Sequence, residues 1–310
     1  MSPVARLRDL LVGLRDVRLV RAQAARVYPG ADAAARRRRA AFRRSALLNA
    51  RAHRALTAFF ARPDWQDIAA AHPQLLQKVH KPYPWRGPEV DERVAIVRRH
   101  YELARDRFGR ALQAAVAQQR EVALVDVALP DGAGVLPVLL GKQPRFEREG
   151  ELTLSLRDPF GALLYSACFT LCERGGEVGL VVGSLNGTAP REVLRHITKL
   201  ACGVRPQSLL VFVLQQVAAL TQSRFVLAVG RDTHAYWGNP RHAEILFDYD
   251  AFWQEQGARA RPDGLYALPL APRRRTPAEM PSRKRALYQR RYAWLDQVAA
   301  ALRTRWVMPG

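Results

Sequence analysis

The chain has 310 residues, of which 48% are hydrophobic and 25% are charged, and its formal net charge is +21. This composition excludes a collagen-like or intrinsically disordered chain, and the length suffices to bury a core without disulfide staples. The three cysteines, at positions 168, 172 and 202, cannot all pair internally. With no histidine close to the first two in sequence, we interpret them as buried apolar thiols and predict no metal site.

The positive charge is concentrated at the two ends of the chain. Residues 1–60 contain 14 arginines and three aspartates, and residues 271–310 carry a net charge of +8. The 210 residues between them therefore carry only +2. Such asymmetry is typical of ends that meet an anionic partner, but solvated helix faces are the simpler interpretation. A nucleic acid is the least favoured partner, since no aromatic-interleaved strand or reading helix is evident.

The N-terminal region predicts helices and no secretory signal. Leu7, Leu10 and Leu14 share one helical face, while arginines and aspartates interrupt the first 20 residues, so no apolar signal core forms. The longest apolar run, at 209–214, is far shorter than the about 20 residues that span a bilayer. We therefore expect a cytoplasmic protein, with peripheral association at the inner membrane as an open alternative.

The fold class predicted for the whole chain is α+β. Prolines between 73 and 88 predict an irregular segment, followed by a helix over 90–118. Glycine-containing short connections between the next strands favour antiparallel pairing. The predicted strands are 120–129, 135–140, 151–156, 163–172, 177–185, 225–230 and 265–270, and the later helices are 190–202, 206–221, 249–256 and a basic amphipathic one from 282. We divide the chain into a helical region (1–119), an α/β core (120–270) and a linker with the C-terminal helix (271–310).

The end of the fifth predicted strand is a candidate anion site. Gly183, Asn186 and Gly187 precede a predicted helix, and glycines there allow backbone N–H groups to face a bound anion. The segment matches neither a P-loop nor the dinucleotide fingerprint, so an ordinary tight turn is the alternative.

A second candidate lies at the next helix break. Lys199, Gly203 and Arg205 flank this break just before Pro206, where two cations could hold a phosphate or carboxylate. Thr198 is taken as a neighbouring substrate contact. The structural alternative is that Arg205 pairs with a local acid and Lys199 is solvated.

Candidate catalytic residues follow the sixth predicted strand. His234 titrates in the range of a general base, and Asp250 lies close to it in sequence. We predict both as catalytic, with Tyr236 and Trp253 as substrate contacts. Capping of a loop by His234 and of a helix by Asp250 is the structural alternative. No serine lies in a nucleophile-elbow motif.

Short motifs from about residue 50 to 305 resemble the bacterial VirK/YbjX family. The matching segments are Lys81-Pro82-Tyr83, His100-Tyr101, Arg148-Glu149-Gly150-Glu151-Leu152, Gly183, Asn186-Gly187, Thr198-Lys199, Gly203-Val204-Arg205-Pro206, His234-Ala235-Tyr236, Tyr249-Asp250, Phe252-Trp253, Asp263-Gly264, Leu268-Pro269 and the basic segment 282–288. The chain departs from the family at Asn186, where glutamine is expected, and at Arg283, where lysine is usual. The resemblance implies links to virulence, to envelope or surface-protein placement and to resistance against antimicrobial peptides, and it assigns no catalytic residue.

From residue 120 the element order also resembles the acyltransferase fold of the N-acetyltransferase superfamily (GNAT-like). In that fold an antiparallel run of strands leads to a strand, loop and helix that hold the pyrophosphate of a thioester carrier. Here 177–185 would be the splayed strand and 203–219 the phosphate-binding helix, although Lys199 and Gly203 are too far apart for the usual phosphate loop.

The resemblance implies an acyltransferase whose donor is CoA or an acyl carrier thioester. The partner would then be an acyl carrier protein or an anionic membrane surface. The alternatives are a non-catalytic peripheral membrane or envelope-assembly factor that docks on anionic lipid through its basic ends, and a nucleic-acid binder.

Overall fold

The computed structural model describes residues 16–239 and 247–306. The predicted helical face at Leu7, Leu10 and Leu14 lies outside the described residues. So does most of the segment 1–20, in which the sequence predicts no secretory signal. Within the described ranges, no helix combines the length and the apolar character needed to cross a membrane.

The N-terminal part of the molecule is helical, as predicted. Asp32 caps one of its helices by accepting a hydrogen bond from the Ala35 N–H (2.6 Å), and a capping box formed by Glu89 and Glu92 begins the longest one. The helices are α1 (16–27), α2 (Ala33–Leu48), α3 (Ala50–Phe60), α4 (Gln66–Ala71) and α5 (Val90–Ala117), with a 3₁₀ helix at Pro73–His80. The sequence predicted only irregular chain where this 3₁₀ helix lies.

The described residues also form a mixed eight-stranded sheet. Its strands are β1 (Val122–Ala128), β2 (Val135–Gly141), β3 (Leu152–Arg157), β4 (Leu163–Arg174), β5 (Glu177–Gly187), β6 (Val226–Val229), β7 (Arg259–Ala260) and β8 (Leu265–Leu268). Their spatial order is β1-β2-β3-β4-β5-β6-β8-β7, and β5 and β6 are the parallel pair among otherwise antiparallel neighbours. The α+β class and the mainly antiparallel sheet are confirmed; the two-residue β7 was not predicted.

Four further helices cover or flank the sheet. The connection from β5 to β6 contains α6 (Arg191–Leu200) and α7 (Pro206–Leu220), α8 (Tyr249–Glu255) follows β6, and α9 (Arg285–Arg305) ends the described chain. The apolar face of α9 packs on β1, where the Trp294 Nε1–H donates to the Ala128 carbonyl (2.7 Å). One hydrophobic core contains residues from Ala52 to Leu302, so it draws on all three predicted regions, whose boundaries stay a prediction.

A β-bulge lies in β5 at Gly183. The pairing of β4 with β5 places Cys168 opposite Ser184 and Phe169 opposite Val182, which leaves Gly183 without a partner on β4. On its other side β5 pairs with β6 only from residue 180 to 182, because β6 ends at Val229 whereas β5 continues to Gly187. The last residues of β5 therefore extend beyond the end of β6.

Buried histidines should make the fold sensitive to mild acid. Burial lowers the pKa of His53 and His72 to about 4 and that of His80 and His100 to about 3. The unfolded chain takes up protons at these groups near pH 6.5, whereas the folded chain does not. The free energy of unfolding should therefore fall as the pH drops below about 6.5, by up to about 1.4 kcal/mol per pH unit for each histidine.

Urea unfolding of the full chain at several pH values between about 7 and 5 measures this slope. The His72→Gln variant should show a shallower slope, whereas a variant of the exposed His196 (His196→Gln) should keep that of the native chain. A midpoint that does not change over this pH range would contradict the prediction.

Candidate active site

A cleft of about 600 Å³ opens beside the end of β5, beyond the end of β6. Its walls come from the end of β5, the start of α6, the segment 145–149 before β3, the loop after β6 and the first turn of α8. The volume is that of a typical small-molecule pocket. Among the predicted site residues, Asn186, Gly187, His234 and Tyr236 line it.

The cleft contains a buried carboxylate–imidazole pair. Glu149 Oε1 lies 3.2 Å from His234 Nε2, and the two side chains are only 8% and 3% exposed. The Tyr236 backbone N–H donates to His234 Nδ1 (3.3 Å), so the proton of a neutral ring resides on Nε2 and faces the carboxylate. The Nε2–H is not aligned well enough to hydrogen bond with a described residue, so the contact with Glu149 is chiefly electrostatic. Such a pair can accept a proton from a nucleophile in the cleft.

Gly183 explains how Glu149 reaches this position. A Cβ atom added at Gly183 would lie 1.7 Å from the Glu149 carbonyl oxygen, so only glycine allows the two backbones to approach so closely. Sequence reasoning assigned Gly183 to an anion site and did not select Glu149. The sequence offered one signal for Glu149, the pair Glu149-Gly150 between two predicted strands. This pair was used only as part of the family resemblance.

A buried ionic network lies directly beside this carboxylate. Glu151 is completely buried and accepts from Lys78 Nζ (3.0 Å), Lys142 Nζ (2.6 Å), the Tyr83 hydroxyl (2.7 Å) and the Tyr101 hydroxyl (2.8 Å). Burial alone would raise the pKa of Glu151, but the two ammonium groups hold it well below its ordinary value. Burial lowers the pKa of Lys78 to about 8. Each carboxylate oxygen of Glu151 thus accepts from one ammonium group and one hydroxyl. These bonds offset the cost of burying the charges in the core.

The network also fixes the segment that carries Glu149. Lys78 Nζ donates to the carbonyl oxygens of Glu147 and Gly150, which lie on either side of it. Arg148 donates to the carbonyl of Ala235, in the loop that carries the histidine of the pair. The carboxylate and the imidazole are therefore held by bonds on both of their segments, as preorganised catalytic groups require.

Two tyrosines complete the wall of the cleft. The Tyr249 hydroxyl bonds both the N–H and the carbonyl of Leu185 (3.2 Å each), groups on the β5 edge that the short β6 does not reach. Burial raises the pKa of Tyr249 well above its ordinary value. Burial, together with the charge of Glu149, raises the pKa of Tyr236 to about 12. Both tyrosines therefore keep their protons at neutral pH.

A second cavity, of about 530 Å³, lies between α7, α8, α9 and the linker before α9; we call it the arginine groove. Gly203 and Arg205 line it, as does Arg291 of α9, whose Nε–H donates to the Cys202 carbonyl (3.0 Å). The left-handed backbone of Gly203 (φ +76°) leaves room for this guanidinium, which lies 2.7 Å from the position of a Cβ atom. The first turn of α7 has no side-chain cap.

Two of the groove's arginines are available to an anion. The guanidinium carbons of Arg275 and Arg291 lie 5.5 and 4.8 Å from the centroid of the Tyr288 ring. Among the described residues neither pairs with a carboxylate, whereas Arg205 pairs with Glu255 (2.6 Å). Guanidinium groups beside an uncapped helix N-terminus suit a phosphate.

The remaining predicted site residues have other contacts. Asp250 accepts from the Arg231 N–H (3.0 Å), and Trp253 is fully buried and donates to the Val229 carbonyl (2.8 Å). The Thr198 hydroxyl bonds the carbonyl one helical turn before it, and Lys199 is exposed on α6. None of these four lines the cleft or the arginine groove as described, and their catalytic and binding roles stay predictions.

The chain belongs to the YbjX/VirK-like family whose description is "Protein of unknown function (DUF535)", since the family's profile matches residues 32–304. The resemblance drawn from the short motifs is thereby confirmed. The chain is 27% identical over 248 residues to "Uncharacterized protein YbjX" of Escherichia coli strain K12, covering 78% of this chain and 75% of that protein. It is 26% identical over 213 residues to an "Uncharacterized protein" of Haemophilus influenzae, covering 68% of this chain and 70% of the relative.

Proposed function

We propose that this protein transfers an acyl group from a thioester donor to a nucleophile bound in the cleft. The observation that carries the proposal is the buried pair of Glu149 and His234 in the cleft beside the end of β5. A proton acceptor that is held rigidly in a concave, largely buried site is what acyl transfer to a hydroxyl or an amine needs.

The order of the strands supports a GNAT-like core. An antiparallel run, β1 to β5, is followed by a helical connection to β6, which is parallel to β5, and then by α8 and the β7–β8 hairpin. This succession resembles that of the acyltransferase fold, with β5 as the proposed splayed strand and α7 as the proposed phosphate-binding helix, although α6 lies between them here. The analogy concerns the fold, and the proposed reaction rests on the site.

The arginine groove supports a donor with phosphate groups. The guanidinium groups of Arg275 and Arg291, neither of which pairs with a described carboxylate, suit a phosphorylated carrier arm. Aromatic side chains lie between the groove and the cleft. Arg205 lies 5.8 Å from the ring centroid of Phe252, which lies 5.2 Å from that of Phe247 in the cleft wall. We therefore assign the phosphates of CoA or of an acyl carrier to the groove, and the thioester end to the cleft.

Glu149 is the general base in this proposal. Its carboxylate accepts the proton of the nucleophile as the nucleophile attacks the thioester carbon. The carbon–sulfur bond breaks, and the departing thiolate takes that proton back, so the charges balance at the end of the turnover. His234 holds the carboxylate in position, and its Nε2–H stabilises the charge of the base before the proton arrives.

Calorimetric titration with CoA and with acetyl-CoA tests the donor site. The Arg291→Gln variant should bind each of the two ligands about ten- to a hundredfold more weakly than the native chain does, because it loses a charge-assisted contact to phosphate. The Arg290→Gln variant is a matched control, since Arg290 is the exposed neighbour on α9 and does not line the groove. The proposal fails if the native chain binds neither CoA nor an acyl carrier protein, and cleaves neither thioester in the presence of hydroxyl and amine acceptors.

A further inference from the structure

The turn between β3 and β4 presents a bare aromatic side chain. Phe160 is 96% exposed, the highest value among the large hydrophobic residues of the described chain. A phenyl ring in water forgoes the free energy that burial of a side chain of this size supplies. Burial of the ring against a partner would recover this free energy.

The turn holds this ring in place. Asp158 Oδ1 accepts from the backbone N–H groups of Phe160 (2.9 Å) and Ala162 (2.8 Å), and the Asp158 N–H donates to the Ala162 carbonyl (2.8 Å). Arg157 donates to the carbonyl of Gly161 (2.9 Å), whose backbone is left-handed (φ +87°). The side chain thus projects from a well-bonded turn, and its exposure is built into the local structure.

Basic side chains follow the end of β5, close to the β3–β4 turn. Thr188 joins the end of β5 to the base of this hairpin, because its N–H bonds the Leu164 carbonyl (3.2 Å) and its hydroxyl the Leu163 carbonyl (2.6 Å). α6 begins three residues later. Its exposed charged side chains are Arg191, Glu192, Arg195 and Lys199, a net charge of +2.

We propose that this surface, formed by Phe160 at the β3–β4 turn and by the exposed cations of α6, docks on an anionic phospholipid membrane. Charge complementarity decides the occupant: basic side chains gather at an anionic bilayer surface, and a single aromatic ring beside them can enter the interface. The surface differs from the basic chain ends that the sequence singled out.

Docking in this orientation directs the cleft toward the lipid. Gly187 at the end of β5 and Arg191, the first residue of α6, both line the cleft. A nucleophile carried by a lipid headgroup or by another molecule at the bilayer would then enter the cleft from the membrane side. The docking itself does not depend on the proposed reaction, so binding can be tested without an activity.

Sedimentation of the full chain with vesicles measures docking. The native chain should bind vesicles of phosphatidylcholine with phosphatidylglycerol, bind pure phosphatidylcholine weakly, and be released as salt is added. Phe160→Ser should lower the partition coefficient on the mixed vesicles about tenfold. The double variant Arg195→Gln/Lys199→Gln should lower the partition coefficient about thirtyfold, since each basic residue near an anionic surface contributes about a fivefold factor.

Matched controls distinguish docking through this surface from nonspecific binding of the chain to vesicles. Leu48→Ser removes a side chain that is 78% exposed on α2, and Arg283→Gln/Arg285→Gln removes two exposed charges at the start of α9. Both should bind like the native chain, and unchanged thermal midpoints confirm that Phe160→Ser folds. The proposal is overturned if the native chain ignores anionic vesicles, if Phe160→Ser binds normally, or if only the α9 double variant loses binding.

Discussion

Replacing Glu151 by alanine is expected to lower the free energy of unfolding by about 3–5 kcal/mol, because it leaves two buried ammonium groups without their counter-ion. Lys78 and Lys142 are 0% and 3% exposed, and both meet the same carboxylate. The two tyrosine hydroxyls that donate to Glu151 would lose an acceptor as well. Chemical denaturation of the full chain, followed by circular dichroism, measures the loss.

Two comparisons test the reason for this effect. Glu173→Ala removes a carboxylate that is 41% exposed and pairs with Arg99 (2.9 Å), so it should cost less than about 1 kcal/mol. Replacing Glu151 and its two lysines together by apolar residues of similar volume should restore much of the stability. A loss below about 1 kcal/mol for Glu151→Ala would mean that the network contributes no more than a surface ion pair.

Glu149→Gln is expected to lower the rate of acyl transfer by about 10²- to 10⁴-fold while leaving donor affinity within about twofold. The amide keeps the size and shape of the side chain beside His234, but it cannot take the proton of the nucleophile. Single-turnover transfer, measured together with calorimetric binding of the donor, separates the chemical step from affinity.

The comparison with Asp250→Asn distinguishes the two carboxylates. Asp250 accepts from the Arg231 N–H, which an asparagine oxygen can also do, so this variant should keep a rate near that of the native chain. If Asp250→Asn loses the rate and Glu149→Gln keeps it, the original sequence prediction is right and the base has been assigned to the wrong residue.

Local patterns in the sequence were sufficient to predict most of the elements. Alternating strands, glycine-containing turns and the apolar face of α9 are all set by neighbouring residues, so their positions could be read directly. The 3₁₀ helix at Pro73–His80 and the two-residue β7 were missed, since elements so short have no periodicity to detect.

The candidate site was predicted only in part, for a different physical reason. His234 was selected because histidine is a common base, whereas its partner Glu149 comes from another segment and meets it only through the fold. Gly183 was read as a phosphate turn because a glycine at a strand end permits one. Its observed contact is with the backbone of Glu149, a long-range approach that no local pattern encodes.

The donors to Glu151 come from widely separated parts of the chain. Lys78 belongs to the 3₁₀ helix, Tyr83 to the segment after it and Tyr101 to α5, and only Lys142 belongs to the sheet region. A fragment beginning at residue 120 would keep one of the four donors and lose the ammonium group that holds the carbonyls on either side of Glu149. The helical half is thus a structural part of the candidate site, and its removal would release the segment that carries Glu149 even from an intact sheet.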